Sequence, residues 1–177
     1  MTAYPYHLRV ARFHEAPLLE QIGADALGMF GPHKMKLSLI RGDFTRALTP
    51  GAAHIVVAVN DQDDPVAYCR MRRYGNHLRL HDLFTAPAHN HRGIGRLLLA
   101  DAFAKAHVEA VGSVVLLTSR NAAWTVPFYE KLGFALTAPE KLPPIAQHHL
   151  KQGTYNTEIA SVPGYLPLAA MVKEGPF

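Results

Sequence analysis

The chain has 177 residues, of which 49% are hydrophobic and 18% charged. That composition suits one globular domain spanning 1–177 with a sizeable core, and excludes a disordered chain, a coiled coil or a collagen-like protein. Lysine and arginine total 18 against 14 acidic residues, and the resulting charge of +4 favours an anionic partner only weakly until it is localised.

In chain order, residues 6–12 alternate as a first strand does. Glu15 to Phe30 then carries one apolar stripe (Leu18, Leu19, Ile22, Ala26, Phe30) and ends at Gly31-Pro32, which predicts a helix. Residues 34–48 read as a second, irregular helical segment interrupted near Gly42. His54 to Val59 is a strand. The Asn60–Pro65 turn returns the chain as a strand over 66–73, and Tyr74-Gly75-Asn76 leads into a third strand, His77 to Thr85. In that third strand Leu78, Leu80, Asp82 and Phe84 face one way, and His77, Arg79, His81, Leu83 and Thr85 the other.

After Ala86-Pro87 comes His89-Asn90-His91-Arg92-Gly93-Ile94-Gly95, which opens a long helix to about Val111. Its apolar stripe is Leu99, Phe103, Ala106 and Ala110; its polar stripe is Asp101, Lys105 and Glu109; Gly112 stops it. Val114 to Thr118 is an uninterrupted apolar run and so a buried strand. A helix over 122–132 ending at Gly133, a short strand over 134–137, an irregular stretch over 138–154 and a last strand over 166–173 complete the chain.

The order strand, glycine loop, long helix, buried strand carries the chemistry. The first amides of a helix have no intrahelical acceptor, and the helix dipole favours negative charge there. Glycines let a backbone approach an anion closely, and Arg92 and Arg96 beside Gly93-Ile94-Gly95 suit phosphate oxygens. A pyrophosphate is the natural guest. No Gly-Lys pair exists for a P-loop, and Arg96-Leu97-Leu98 follows the second glycine where a dinucleotide fingerprint needs a third. Taken alone, the glycines also fit a tight strand-to-helix turn with no ligand.

Three segments together resemble the GCN5-related N-acetyltransferase (GNAT) superfamily. They are Leu83-Phe84-Thr85-Ala86-Pro87, then Asn90-His91-Arg92-Gly93-Ile94-Gly95-Arg96-Leu97-Leu98, then Phe128-Tyr129-Glu130-Lys131-Leu132-Gly133-Phe134. The second matches the family's acyl-CoA loop except that Asn90 stands where the family has Gln or Arg. The resemblance implies an α/β fold with a central mixed sheet of about six to seven strands flanked by helices. It implies acetyl-CoA as acetyl donor, a primary amine as acceptor, and direct attack in a ternary complex. Backbone groups of Leu83, Phe84 and Thr85 would take the pantetheine arm as an added strand and hold the oxyanion. The loop from Asn90 through His91, Arg92, Gly93, Ile94 and Gly95 to Arg96 would take the pyrophosphate, with Asn121 and Phe128 further along the cofactor. Tyr129 would protonate the leaving thiolate, and is otherwise a core aromatic beside Phe128 and Phe134. His81 or Asp82, on opposite faces of their strand, would serve as base.

The remaining residues read more plainly. Cys69, the only cysteine, excludes an intrachain disulfide and a multi-cysteine zinc site, and reads as core. His148-His149 lacks a zinc-ligand spacing, so no metal is expected. Arg70, Arg72, Arg73 and Arg79 form a basic stripe, read as a solvated strand face or as an attractor of the cofactor's phosphate. Nucleic-acid binding is the runner-up use of such a stripe, although few aromatics interleave it. Trp124 reads as packing near the acyl site or an interface. The start of the chain has no secretory pattern, and no stretch approaches the roughly 18 apolar residues of a membrane span, so a cytoplasmic location is expected. A small-molecule amine is the preferred partner, with segments 23–48 and 138–165 as its surroundings and Phe30, His33, His54, Tyr155 and Tyr165 as contributors. A homodimer is compatible with the resemblance. Rival readings are a peptide or protein N-acetyltransferase and a non-catalytic acyl-CoA-binding module.

Overall fold

A computed structural model describes residues 5–29, 44–119, 122–148 and 168–177. Seven strands, β1 (His7–Val10), β2 (His54–Val59), β3 (Pro65–Tyr74), β4 (His77–Thr85), β5 (Ser113–Ser119), β6 (Ala135–Leu136) and β7 (Leu168–Glu174), form a sheet in the order β1-β2-β3-β4-β5-β7-β6. The helices are α1 (Ala16–Gly28), α2 (Phe44–Ala47), α3 (Ile94–Val108) and α4 (Thr125–Glu130). β4 and β5 run parallel, whereas β1–β2, β2–β3, β5–β7 and β6–β7 are antiparallel. The sheet is therefore mixed, as expected.

The chain groups into two compact units. The first holds β1, α1, α2, β2, β3 as far as Arg72, β4 from His81, and α3 as far as Ala102. Its core is Ala16, Leu19 and Ile22 of α1 with Phe44, Ile55, Val57, Val59 and Tyr68. Within the expected α1 stripe, Leu19, Ile22 and Ala26 are buried and Leu18 is exposed. Tyr68 is wedged edge-on between Phe44 at 5.2 Å and Phe84 at 5.9 Å. Of the expected helical segment over 34–48, the described part is the single turn of α2; the rest lies outside the described residues.

At the rim of this unit Arg9 of β1 donates to both carboxylate oxygens of Glu15, at 3.1 and 2.6 Å, and to Asp63 at 2.7 Å. The Arg12 amide also donates to Glu15, at 2.6 Å. Burial would raise the Glu15 pKa, but the Arg9 guanidinium and the Arg12 amide together hold it below the usual carboxylate range.

The second unit holds the end of β3, His77–Leu80 of β4, Phe103 onward of α3, and β5, α4, β6 and β7. Val115, Leu142, Ala146, Ala170 and Val172 form its core cluster. α3 ends at Val108, a turn earlier than its sequence suggests, because Ala110 takes the left-handed conformation at φ 49° and the Val111 amide turns back to Ala106 O at 3.1 Å. Gly112 has another use. The Asn76 side chain lies where its Cβ would stand, and Asn76 Oδ1 accepts the Gly112 amide at 3.0 Å. No helix among the described residues is long and apolar enough to cross a membrane.

The Glu15 cluster gives a stability prediction. Because the folded pKa is below the unfolded one, the contribution of Glu15 is present above the unfolded value of about 4.3 and is lost as pH falls through the folded value. Glu15→Gln should reduce stability by about 1–2 kcal/mol at pH 7, since a half-buried Arg9 loses its two-pronged carboxylate and keeps only Asp63. It should also flatten the acid limb of a urea-midpoint-against-pH curve. An acid limb as steep as the parent's would contradict this account.

Candidate functional site: the turn from β4 into α3

β4 carries the parity its sequence predicts. Leu78, Leu80 and Asp82 are buried, with the residues between them half-buried. Its parallel register with β5 runs from His77↔Ser113 to Leu80↔Leu116. No pair beyond Leu80 is recorded among the described residues, and β4 continues through His81, Asp82, Leu83, Phe84 and Thr85. A strand edge without a partner presents alternate N–H and C=O groups that can pair with an extended ligand.

Beyond Thr85 a 3-10 turn spans Pro87–His89 and ends at Asn90 in extended conformation. His91 and Gly93 then take left-handed conformations, at φ 60° and φ 80°, on either side of Arg92. For histidine that conformation is uncommon and strained. α3 begins at Ile94, and the amides of Arg96 and Leu97 are the ones that return to Gly93 O, at 3.0 and 3.1 Å. The amides of Ile94 and Gly95 precede the first intrahelical bond, at the positive end of the helix. His91, Arg92, Gly93 and Arg96 are exposed, Asn90 and Gly95 half-buried, and Ile94 is buried at 2% exposure. Ile94 therefore anchors the turn while its neighbours face outward.

Three contacts that the sequence does not suggest hold this loop. The Tyr6 hydroxyl accepts a hydrogen bond from Arg92 Nη1 at 3.2 Å and lies 2.9 Å from His89 Nδ1. Asn90 Nδ2 donates to the Met29 sulfur at 2.9 Å. These partners are 61 to 86 residues apart in sequence, so no local pattern reveals them.

Of the two proposed bases, His81 is half-buried and Asp82 is 8% exposed. Asp82 Oδ2 lies 2.6 Å from Arg70 Nε. Arg70 in turn sits over the Phe44 ring at 5.2 Å. The basic stripe is thus divided among separate partners. Arg70 is neutralised by Asp82, and Arg73 donates to the Gly75 and Glu109 carbonyls at 2.8 and 3.0 Å, closing the end of α3. The two-residue turn between Tyr74 and His77 would set Arg70 opposite His81, so strand alternation alone does not reveal the Arg70–Asp82 pair. Cys69 is fully buried, and burial pushes its thiol pKa up.

In the second unit, Thr125 Oγ1 donates to Ser119 O at 2.6 Å and fastens the start of α4 to the end of β5. α4 is shorter than the expected helix because Ala122 to Trp124 form the turn that precedes it. Phe128 and Tyr129 lie in α4, both half-buried, and the Tyr129 ring packs edge-on against Phe128 at 5.1 Å and Phe134 at 5.7 Å. Gly133, at φ 86°, ends the segment. Asn121 lies outside the described residues, as do Phe30, His33, His149, Tyr155 and Tyr165. Trp124 is 53% exposed. Among the described residues no cluster of His, Cys, Asp and Glu could hold a metal ion.

The Arg70–Asp82 pair yields a second prediction. Asp82→Asn keeps the shape but leaves a largely buried guanidinium uncompensated, and should destabilise by about 3 kcal/mol in urea unfolding. Unchanged stability with lost turnover would instead make Asp82 the base.

Comparison with known proteins fits this geometry. Residues 51–136, which run from the start of β2 to the end of β6, match the acetyltransferase (GNAT) domain. PaiA N-acetyltransferase from Thermoplasma acidophilum, solved in complex with coenzyme A, superposes with a TM-score of 0.68 at 14% identity, over 96% of this chain and 99% of that one. The ribosomal-protein-S18-alanine N-acetyltransferase from Escherichia coli gives 0.68 at 13% identity, over 96% and 93%. A GNAT-family acetyltransferase from Staphylococcus aureus Mu50 gives 0.70 at 15%, over 96% and 98%. At such identities the structures speak for the fold, and the domain match speaks for residues 51–136. That stretch, just under half of the chain, is similar to the acetyltransferase (GNAT) domain, and the chain shares the fold of these N-acetyltransferases.

Proposed function

We propose that this protein transfers the acetyl group of acetyl-CoA to a primary amine of a small molecule, by direct attack within a ternary complex. The observation that carries this reading is the left-handed turn at His91 and Gly93. It leads into the first amides of α3, which lack an intrahelical acceptor, directly after a strand whose parallel pairing with β5 runs only as far as Leu80 among the described residues.

Each proposed role follows from its chemistry. Asn90 through Arg96 receive the pyrophosphate, with backbone N–H groups and two arginines supplying positive charge. The edge of Leu83, Phe84 and Thr85 pairs with the pantetheine arm, and an N–H there polarises the acetyl carbonyl. Phe128 and Asn121 contact the cofactor further along. The neutral amine attacks the carbonyl carbon, and the C–S bond of the tetrahedral intermediate breaks. Tyr129 gives its phenolic proton to the departing thiolate, and the proton lost by the amine passes to His81, directly or through water. We favour His81 over Asp82 as base because Asp82 is committed to Arg70. A covalent acetyl-cysteine is disfavoured by the complete burial and raised pKa of Cys69. The mechanism needs no metal, since charge develops on one oxygen that backbone donors can hold.

β3, β4 and α3 each run through both compact units, so we read the chain as a single domain. A buried free thiol and the absence of a membrane-length helix among the described residues are consistent with the cytoplasm as its location. The second reading is a peptide or protein N-acetyltransferase, which the exposed Trp124 would favour as an interface residue.

A panel of small amines and amine-bearing peptides, assayed by CoA release, tests the reading. Faster turnover of small amines supports it, and release with peptides alone would replace it with the second reading. Tyr129→Phe should lower kcat about tenfold or more with little change in acetyl-CoA affinity; an unaltered pH–rate profile would remove the acid role. Gly95→Val should weaken acetyl-CoA binding in calorimetry, and unchanged affinity would overturn the loop assignment.

A further inference from the structure

We infer that Tyr6, the residue just before β1, is a positioning residue for the cofactor loop, holding Arg92 ready for the pyrophosphate before acetyl-CoA arrives. The inference rests on the loop being the pyrophosphate site, and the test below separates the two.

Tyr6 is 7% exposed, and its side chain reaches residues 83 and 86 positions later in the chain. A guanidinium can only donate, so the Tyr6 oxygen accepts from Arg92 Nη1 at 3.2 Å. The same hydroxyl lies 2.9 Å from His89 Nδ1, within hydrogen-bond distance. The two rings meet edge to face, with centroids 5.7 Å apart at 79°. One hydroxyl therefore ties together the last residue of the 3-10 turn and the arginine between the two left-handed residues. The Asn90–Met29 hydrogen bond holds the same loop from the end of α1.

An exposed arginine on a loop samples many rotamers, and binding a phosphate would have to freeze them. Fixing the guanidinium beforehand removes part of that cost and shows as affinity. Phenylalanine at position 6 would keep the ring contact with His89 and lose both hydrogen bonds. The loss should fall on ligands that carry the pyrophosphate and spare those that lack it.

The test is calorimetric titration of CoA and of pantetheine, which lacks the pyrophosphate, into the parent, Tyr6→Phe, Arg92→Ala and the double variant. Tyr6→Phe should weaken CoA about fivefold, the scale of one net hydrogen bond, and leave pantetheine within about twofold. Arg92→Ala should weaken CoA more, and the double variant should bind CoA no worse than Arg92→Ala alone. In steady state, Tyr6→Phe should raise the KM for acetyl-CoA about fivefold, with kcat within about twofold. Parent-like CoA binding by Tyr6→Phe alongside a weakened Arg92→Ala would overturn the inference. So would additive losses, or an equal loss for pantetheine. Parent-like CoA binding by Arg92→Ala would overturn the loop reading itself. A measurement that needs no variant is the NMR of ring-labelled tyrosine in the parent. The Tyr6 ring signals should move on adding CoA and stay in place with pantetheine, and signals unmoved by CoA would contradict the inference.

Discussion

The structure depends on what happens to β4 halfway along its length. As far as Leu80 it pairs with β5, and its buried Leu78 and Leu80 belong to an ordinary sheet interior. Past that point no β5 partner is recorded among the described residues, while β5 continues its ladder with β7 as far as Ser119↔Leu168. Backbone groups at a strand edge need partners, and an extended ligand arm is one way to supply them. The chain then turns through two left-handed residues into α3, so the part of β4 beyond its pairing with β5 leads straight into helix amides that lack an intrahelical acceptor. Both features ask for hydrogen-bond partners of the kind an acyl-CoA carries, an amide-bearing arm and a pyrophosphate.

Electrostatics inside the first unit serves to keep that segment in place. Arg9 is bound to Glu15 and Asp63, and Arg70 to Asp82, so these internal cations are spoken for. Asp82 burial beside Arg70 fixes the middle of β4, two residues before Phe84 packs against Tyr68. Arg92, held by the Tyr6 hydroxyl, and Arg96 are exposed at the start of α3. The modest excess of positive charge thus gains a location, which the sequence total could not give it.

Much of this was legible in the sequence because local patterns govern it. The β2 and β4 boundaries follow from alternation bounded by turn residues, and both strands begin and end where expected. The loop motif, together with Phe128-Tyr129 and Gly133-Phe134, was enough to point to the acetyltransferase domain that residues 51–136 match. The errors at element ends have physical causes. Ala110 rather than Gly112 takes the left-handed position after α3, and the Thr125 hydroxyl bond to Ser119 O delays α4 until after Trp124. Long-range pairings left no local trace. Arg70 reads as one member of a solvated basic stripe until Asp82 is seen beside it, and nothing around Tyr6 announces Arg92.

The central claim is that the turn from β4 into α3 is an acyl-CoA site, and thermal unfolding with matched concentrations of acetyl-CoA, CoA, NADPH and ATP tests it most directly. A ligand present at about 100 times its Kd stabilises the folded state by about 2.7 kcal/mol, visible as a rise of several degrees in Tm. The account predicts that rise with acetyl-CoA and with CoA, and none of comparable size with NADPH or ATP. A Tm unmoved by either CoA species would contradict it and leave the glycine turn as a structural feature only.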